Sequence, residues 1–415
     1  MTAEPDTLEI VRLGAHGDGI ADGHGRFVPF ALPGERVRIG ADGLPIVLSA
    51  SPRRRPPPCR HFGVCGSCVA QHMDEELYGE WKCGMLRAAF RQRGLEPEVL
   101  AMRRIAPASR RRAVLTARCA GGEVVLGYHR RRSALVFAVA ECPVLVPAIV
   151  AGLEGLRAIA ATLAAPEARF TVLATPRGLD VTVTAAAGRS DGPTLAALAR
   201  LASRHALARL VRNGEPIAEL ARPELTVASI TVLPPPGVFV QAVAAAEAAM
   251  VEEVLAAAGA AHAVVDLFAG IGTFTLALAR RARVLAVDAE HSALAALAQA
   301  AKAARGLKPV ATLRRDLMRL PLSAPELDVF ECVVLNPPRA GALAQARQIG
   351  RARVACVVYT SCNPATLARD ARVLVDAGFV LERVLPIDQF LYADQLEAVA
   401  TFRRPTARRG RAPRR

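Results

Sequence analysis

Cys362 is the cysteine whose sequence context best suits covalent chemistry. It follows an apolar segment, 354–360, that is typical of a strand, and it precedes a stretch over 365–377 that predicts a helix. A thiol at the turn between a strand and a helix lies beside the helix N-terminus, which can lower its pKa and favour the nucleophilic thiolate. Cys332 and Cys356 lie inside apolar strands, so we expect them to be core residues.

The chemistry that fits Cys362 is addition to a conjugated ring. No histidine follows His291 in the chain, which argues against a Cys–His hydrolase, although a histidine can still approach in space. A thiolate that adds to carbon 6 of a uracil makes carbon 5 nucleophilic enough to take a methyl group. A general base must then remove the C5 proton. Glu397, in an apolar run that predicts the last strand, is the candidate base, although a solvated acid at a strand end has the same sequence pattern.

The segment Asp266-Leu-Phe-Ala-Gly-Ile-Gly has the features of a nucleotide-type cofactor loop. It follows a predicted strand and opens a predicted helix, and Gly270 and Gly272 permit a tight turn close to a ligand. Asp288 and Asp316 end the next two predicted strands, where they can meet a ribose and an adenine edge. The loop lacks the third glycine of a pyrophosphate site, which favours S-adenosylmethionine over NAD. The alternative is a structural turn with two surface acids.

Four further cysteines have spacings that suit a metal centre. Cys59, Cys65 and Cys68 form a Cys-x5-Cys-x2-Cys motif, and Cys142-Pro stands 74 residues later. Four thiolates suit zinc or an iron–sulfur cluster, and this spacing differs from the paired Cys-x-x-Cys of zinc knuckles. Four unrelated buried cysteines are the alternative interpretation.

The other titratable residues near this motif are interpreted as ordinary. His61 and His72 flank the motif and are expected on the surface, whereas Cys83 and Cys119 have no partner pattern and are expected in the core. The N-terminus has no secretory pattern, so the nine cysteines indicate a reducing, cytosolic compartment rather than disulfides.

The net charge of +15 predicts a polyanionic partner such as nucleic acid. Arginine runs occur at 53–55, 110–112 and 130–132, and the segment 403–415 holds seven more arginines and no acid. For that tail a solubilising role fits equally well. No uncharged apolar run is long enough to span a bilayer, and we expect neither a membrane nor a protein partner to be required.

The elements that must position these residues fall into several units. Short strands between glycine turns predict a small β-barrel over 1–52, and a Pro/Arg linker opens a central α+β domain over 53–236. A helix is expected over 73–93, and an Ala/Leu-rich stretch, 194–211, is also expected to be helical. From 237 to 404 strands alternate with helices, which predicts a Rossmann-like, doubly wound α/β domain, and 405–415 forms a basic tail.

Several of these segments together resemble the RNA 5-methyluridine methyltransferase family. They are the surroundings of Cys362 and Glu397, the 266–272 loop, Asn336-Pro-Pro-Arg-Ala-Gly and Phe239-Val-Gln. The resemblance covers nearly the whole chain. It implies a class of S-adenosylmethionine-dependent enzymes in which Cys362 is the nucleophile and Glu397 the base.

The resemblance also implies the binding residues. The residues that line the cofactor pocket would be Gln241, Asp266, Phe268, Gly270, Gly272, Asp288, Asp316 and Asn336. The four spaced cysteines, Cys59, Cys65, Cys68 and Cys142, would hold a [4Fe–4S] cluster with a structural role. Residues 1–52 resemble the RNA-binding TRAM barrel, an OB-type fold, which favours the branch that acts on 23S ribosomal RNA over the transfer-RNA branch.

The chain departs from the family pattern at two positions. Asn336 replaces the usual Asp before Pro-Pro-Arg, and Val243 replaces the usual Asn two residues after Gln241. Both changes concern recognition of the target base more than methyl transfer. Three alternatives therefore stay open: methylation of a tRNA uridine, methylation of carbon 5 of an RNA cytosine, and an RNA-binding assembly factor with impaired catalysis.

Overall fold

The computed structural model describes residues 7–23 and 25–405, so most of the predicted basic tail lies outside the described residues. The N-terminal unit is an antiparallel, barrel-like sheet. Its strands are β1 (Leu8–Leu13), β2 (Gly19–Ala21), β3 (Phe27–Val28), β4 (Arg36–Ile39) and β5 (Pro45–Ser49). Their order in the sheet is β3-β2-β1-β4-β5. Alternate residues such as Leu8, Ile10 and Val37 fill the interior because successive side chains of a strand point to opposite faces.

A linker containing the first three motif cysteines leads into helix α1 (Glu75–Arg91) and the short strand β6 (Glu98–Val99). The helix begins at Asp74, whose carboxylate accepts a hydrogen bond from the Leu77 N–H at 2.8 Å and so caps the first turn. The helix predicted over 73–93 is therefore confirmed to within two residues at each end. Its buried Leu86 and Phe90 join the core of the C-terminal sheet.

The central unit is a mixed sheet covered by helices. Its elements are β7 (Arg112–Ala120), β8 (Glu123–His129), β9 (Val136–Ala138), α2 (Pro147–Ala151), α3 (Leu153–Leu163), β10 (Glu167–Thr175), β11 (Gly178–Thr184), α4 (Gly192–Arg204), β12 (Arg209–Arg212) and β13 (Glu215–Glu219), followed by the hairpin β14 (Leu225–Val227) and β15 (Ile230–Val232). The sheet order is β13-β12-β11-β10-β7-β8-β9.

The helix predicted over 194–211 is correct only in its first part. Helix α4 ends at Arg204, and Ala206 adopts a positive φ of 48° that turns the chain back. The following residues then form β12, which pairs in parallel with β11 and buries Leu210 and Val211. Sheet packing thus overrides the helical propensity of the Ala/Leu-rich stretch.

The C-terminal unit is the α/β domain that the sequence predicts. Its elements are α5 (Ala244–Ala258), β16 (Ala263–Leu267), α6 (Thr275–Leu278), β17 (Arg283–Asp288), α7 (His291–Ala303), β18 (Val310–Arg314), α8 (Ala324–Leu327), β19 (Cys332–Leu335), α9 (Leu343–Arg351), β20 (Cys356–Ser361), α10 (Pro364–Asp376), β21 (Val380–Ile387) and β22 (Glu397–Arg403). The sheet order is β18-β17-β16-β19-β20-β22-β21-β6.

Strands β16 to β20 are mutually parallel, whereas β22 runs antiparallel to its neighbours β20 and β21. Val264 and Val265 point into separate apolar cores, so helices cover both faces of the sheet. Strand β6 adds to the far edge beside β21 and so ties the segment after α1 into this sheet.

No helix within residues 7–23 and 25–405 is long and apolar enough to cross a membrane.

Candidate active site

The predicted catalytic pair meets at one edge of the C-terminal sheet. In the antiparallel pairing of β20 with β22, Ser361 lies opposite Ala398. Cys362 directly follows β20 and Glu397 directly precedes Ala398, so the two side chains lie at the same end of adjacent strands. Their proximity has an electrostatic consequence, because the Glu397 charge raises the pKa of the Cys362 thiol.

Cys362 lies at the start of α10. The Asn363 side chain accepts a hydrogen bond from the Ala365 N–H at 3.1 Å and Pro364 occupies the first turn, which together fix the strand-to-helix turn. The pKa of the thiol is raised to about 11, mainly because it is buried, whereas Arg339 acts in the opposite direction. The depressed pKa expected from the helix N-terminus is therefore not found in the free protein, because desolvation outweighs the helix dipole.

Glu397 is a buried carboxyl group, only 3% exposed, and not a solvated acid at a strand end. Its Oε2 accepts one side-chain hydrogen bond, from Gln389 Nε2 at 3.0 Å. Burial raises its pKa to about 7, although the Gln389 hydrogen bond acts to lower it. A carboxyl group with a pKa near neutrality can both take and release a proton under physiological conditions.

The predicted cofactor loop follows β16, as expected, and the predicted helix after it, over 273–281 in the sequence, is limited to α6 (Thr275–Leu278). Gly272 has a φ of 92°, and a Cβ there would lie 2.3 Å from Leu297 Cδ1. Gly270 has a φ of 54°, and a Cβ there would meet no atom within 4 Å. Phe268 also adopts a positive φ, 62°, which is unusual for a residue with a side chain. The loop is therefore held open beside Gly270 and closely packed beneath Gly272.

Acidic side chains hold this loop in place. Asp288 Oδ2 accepts a hydrogen bond from the Gly270 N–H at 2.8 Å. Asp266 is fully buried, accepts a hydrogen bond from Thr275 Oγ1 at 2.6 Å, and has its pKa raised to about 7 by burial. Asp266 thus lies beneath the loop, whereas Asp288 lies at its rim.

The remaining predicted cofactor residues lie at the same sheet edge. Asn336 directly follows β19, and its N–H donates to the Leu267 carbonyl oxygen at 3.2 Å. Asp316 lies just beyond β18 and accepts from the Met318 N–H at 3.0 Å. Gln241 precedes α5 and is 3% exposed. The fold thus closes sequence separations of 75 residues from Gln241 to Asp316 and of 95 residues from Gln241 to Asn336.

Gln389 was not singled out from the sequence, yet it connects two predicted site residues. Its Nε2 donates to Gln241 Oε1 at 2.9 Å as well as to Glu397. The sequence offers one signal for Gln389. It is a polar residue next to Asp388, within a mostly apolar segment that precedes the last strand.

The four motif cysteines line one cavity of about 390 Å³. Burial raises the pKa of Cys59, of Cys142 and of Cys68, the last to about 12. In the described part of the chain, no three His, Cys, Asp or Glu side chains converge in the way that a single metal ion requires. The cysteines, Cys65 included, therefore surround a space rather than one point.

The two histidines near the motif differ from each other. His61 is partly exposed, and its Nε2 accepts the Ala140 N–H at 3.2 Å. His72 is fully buried, so the prediction that it lies on the surface is wrong. Its ring lies 5.3 Å from that of Phe62 and 6.0 Å from that of Phe30, and burial lowers its pKa to about 4. His72 is therefore enclosed where Phe30 of the barrel and Phe62 of the cysteine segment pack together.

Of the four other cysteines predicted to lie in the core, two are confirmed there, and the prediction is wrong for Cys83 and Cys119. Cys332 and Cys356 are buried on the paired strands β19 and β20. Cys83 and Cys119 are only partly buried.

The loop between β21 and β22 separates the cysteine cavity from the catalytic pair. The Val69 and Ala70 N–H groups, next to Cys68, donate to the Tyr392 carbonyl oxygen at 2.8 and 3.2 Å. Residues 390–391 and 393–395 of this loop line the cysteine cavity. Glu397 follows only two residues later, so the same loop contacts both sites.

A groove of about 930 Å³ runs from the barrel to Cys362. Its walls come from β1 of the barrel, from one face of α1 and from the turns that carry Arg339 and Cys362. Arg12, His16 and Arg53 also line it. Glu80 and Asp394 line it as well, so the arginines, with Arg339, outnumber the acidic residues by one. A groove of this size can accommodate an extended chain.

Comparison with known proteins agrees with this geometry. A family model described as tRNA (Uracil-5-)-methyltransferase matches residues 229–404. An uncharacterised RNA methyltransferase of Rhizobium meliloti is 44% identical over 410 residues, which cover 95% of this chain and 99% of the relative. A 23S rRNA (uracil(1939)-C(5))-methyltransferase of Chromohalobacter salexigens is 35% identical over 437 residues, which cover 98% and 91%. The chain belongs to the RNA (uracil-C5)-methyltransferase family.

A solved structure shares the fold of the chain. The crystal structure of the Pyrococcus abyssi tRNA (uracil-54, C5)-methyltransferase in complex with S-adenosyl-L-homocysteine superposes with a TM-score of 0.74 at 18% identity, covering 96% of this chain and all of that one. The predicted mixed α/β methyltransferase fold is confirmed. The chain is an S-adenosylmethionine-dependent RNA (uracil-C5)-methyltransferase.

Proposed function

We propose that this enzyme methylates carbon 5 of a uridine in 23S ribosomal RNA, in the cytoplasm, with Cys362 as the nucleophile and Glu397 as the base. The observation that supports this best is the pairing of Ser361 with Ala398. It brings the Cys362 thiol and the Glu397 carboxyl group, whose pKa is about 7, to the ends of adjacent strands. Covalent methylation of a pyrimidine needs both groups at the same ring.

The reaction can be written with every electron pair assigned. The Cys362 thiol releases its proton to solvent and Sγ bonds to carbon 6, while the π pair of C5–C6 forms a C4–C5 double bond and the C4–O π pair moves onto O4 as an enolate. The enolate pair then returns through carbon 5 to the methyl group, whose bond to the sulfonium sulfur breaks, so that S-adenosylhomocysteine leaves. Glu397 removes the C5 proton, and the C–H pair restores the C5–C6 double bond and expels Sγ as a thiolate. Arg339, which acts to lower the thiol pKa, would assist the first step.

S-adenosylmethionine supplies an electrophilic methyl group on a sulfonium sulfur. The open space beside Gly270 fits a ligand, since a Cβ there would meet no protein atom. We assign Asp288 to the ribose and Asp316 to the adenine edge, because each lies at a strand end next to this loop. The full set of proposed contacts is Gln241, Asp266, Phe268, Gly270, Gly272, Asp288, Asp316 and Asn336.

Ribosomal RNA is the proposed substrate for two reasons. The Chromohalobacter relative, aligned over 98% of this chain, is named a 23S rRNA enzyme. The chain also has the N-terminal barrel-like sheet, which we interpret as a TRAM domain, and the groove beside it leads to Cys362. A tRNA uridine is the second candidate, because the matching family model and the Pyrococcus structure carry that name.

We further propose that Cys59, Cys65, Cys68 and Cys142 hold a [4Fe–4S] cluster. The four thiols line one cavity, and their spacing differs from the paired Cys-x-x-Cys of zinc knuckles. The cluster would supply thiolate–iron bonds that join the linker before α1 to the central sheet, a structural role.

The decisive experiment maps 5-methyluridine in ribosomal and transfer RNA from a deletion strain by nucleoside mass spectrometry. Loss of one 23S site, restored by the wild-type gene and by a Cys119→Ala control but not by Cys362→Ala, is the expected result. Loss of a tRNA site instead would reassign the substrate. Loss of a 5-methylcytidine would reassign the base. Complementation by Cys362→Ala would contradict the covalent mechanism.

A further inference from the structure

Gln389 is held between Glu397, the proposed general base, and Gln241, one of the proposed cofactor contacts, and so places Gln241 beside the group that must reach carbon 5 of the target base. It lies just after β21, is 2% exposed, and its backbone N–H donates to the Ile387 carbonyl oxygen at 2.9 Å. Its side-chain Nε2 lies 3.0 Å from Glu397 Oε2 and 2.9 Å from Gln241 Oε1. An amide nitrogen has two protons, so both are used by these two acceptors.

The charge on Glu397 determines the direction of this hydrogen-bonded chain. An ionised carboxylate only accepts hydrogen bonds, so Gln389 must present its nitrogen to it. The second proton then requires an acceptor, so Gln241 presents Oε1 to Gln389 and its own NH2 faces away. The Oε1 atom of Gln389 is buried and accepts no hydrogen bond from the residues that the structure describes, which indicates that Glu397, and not a donor to Oε1, sets the orientation of the amide.

We propose, building on the proposed function, that Gln389 is a positioning residue which keeps Gln241 as a hydrogen-bond donor towards the target base. A donor at that position favours a carbonyl oxygen over an exocyclic amino group. Uracil has O4 where cytosine has an amino group, so the Gln389–Gln241 pair would favour uracil over cytosine. This selectivity would not depend on Asn336, the position at which the chain departs from its family.

The hydrogen bond from Gln389 also affects the proposed general base, Glu397. The hydrogen bond from Gln389 lowers the pKa of Glu397 against the effect of burial. The titratable group that faces Glu397 from the turn after β20 is the Cys362 thiol, with Arg339 beside it. Asp388, next to Gln389, is bound to Tyr78 and Lys82. Without Gln389 the carboxyl group would have no side-chain donor, and its pKa would rise.

The test compares Gln389→Met with a matched control, Gln348→Met. Methionine has a similar length but no donor, and Gln348 lies away from the site, where its Oε1 accepts the Ala324 N–H at 3.2 Å. Single-turnover methyl transfer is measured across pH 5.5–9 on two RNAs that carry uridine or cytidine at the target position. We expect Gln389→Met to be slowed on the order of tenfold or more near neutral pH. The acid limb of its pH–rate profile should move to higher pH, and its preference for uridine over cytidine should fall. The rate, the profile and the preference of Gln348→Met should match those of the wild type.

A second readout does not depend on activity. A carbon-13 NMR titration follows the Glu397 carboxyl, assigned by its loss in Glu397→Gln. We expect a higher midpoint in Gln389→Met than in the wild type. An unchanged midpoint, or an unchanged uridine preference in an active variant, would overturn this role. Absence of methyl transfer by the wild type would refute the proposed function, and the titration would still decide whether Gln389 controls Glu397.

Discussion

Lys82 Nζ lies 3.1 Å from Asp388 Oδ1, and neither side chain is more than 2% exposed. The same ammonium group donates to the carbonyl oxygens of Phe390 and Gln395 at 3.0 and 2.5 Å. Tyr78, one turn earlier on α1, donates its hydroxyl to Asp388 at 2.8 Å. Helix α1 therefore fastens both ends of the loop that leads into Glu397.

Replacing Lys82 by Met should destabilise the protein strongly. Asp388 would remain buried without a cation, which costs about 3–5 kcal/mol in free energy of unfolding. Denaturant titration measures the effect, with the exposed Lys302→Met as a control that should change little. The double variant Lys82→Met/Asp388→Asn should recover part of the loss, because no unpaired charge remains. Equal stability of the single and double variants would contradict this account.

Glu397→Gln should slow methyl transfer by roughly 10²–10⁴-fold, the usual contribution of a general base. The steps before proton removal do not need the carboxylate, so the Cys362–RNA adduct should accumulate. Denaturing gel electrophoresis with labelled RNA detects that adduct, and Cys362→Ala/Glu397→Gln is its control. Absence of a Cys362-dependent adduct under conditions that support methyl transfer by the wild type would assign proton removal to another group.

The same substitution should change the pH dependence of stability. The folded pKa of Glu397, about 7, lies above the ordinary value of 4.5 for a glutamate side chain. The folded state therefore binds this proton more tightly, and stability falls as pH rises from about 4.5 through about 7. Glu397→Gln removes this contribution, so the variant should exceed the wild type above pH 7 by an amount on the order of 1–3 kcal/mol. Denaturation at pH 5 and pH 8 checks the prediction, since the gain should be absent at pH 5.

The sequence predicts the α/β domain and most of the site because both depend on local patterns. Apolar runs mark strands, and the ends of parallel strands meet at one edge, so Asp288, Asn336 and Cys362 could be brought together without coordinates. Gln389 could not be found in this way. Its contact with Gln241 spans 148 residues, and no local pattern shows that two amides will be buried side by side. The position of His72 likewise depends on packing between the barrel and the cysteine segment.

Removing a motif cysteine should release iron. Cys68→Ser and Cys142→Ser each delete one of four proposed ligands, so anaerobically purified variants should contain less iron than the brown wild type. Cys83→Ser, outside the motif and only partly buried, is the matched control and should retain the wild-type content. Metal analysis and the visible spectrum measure the difference. A colourless wild type loaded with zinc would contradict the cluster assignment.

Alanine substitutions at the two loop glycines should have different effects. A Cβ at Gly272 would lie 2.3 Å from Leu297 Cδ1, and the φ of 92° is strained for alanine, so Gly272→Ala should destabilise the fold by about 1–3 kcal/mol. A Cβ at Gly270 would meet no protein atom, although the φ of 54° is also unfavourable for alanine, so Gly270→Ala should destabilise the fold less, by about 1 kcal/mol. That Cβ would instead enter the space assigned to S-adenosylmethionine and weaken its binding. Thermal denaturation and calorimetric titration separate the two effects, and undiminished affinity in Gly270→Ala would place the cofactor elsewhere.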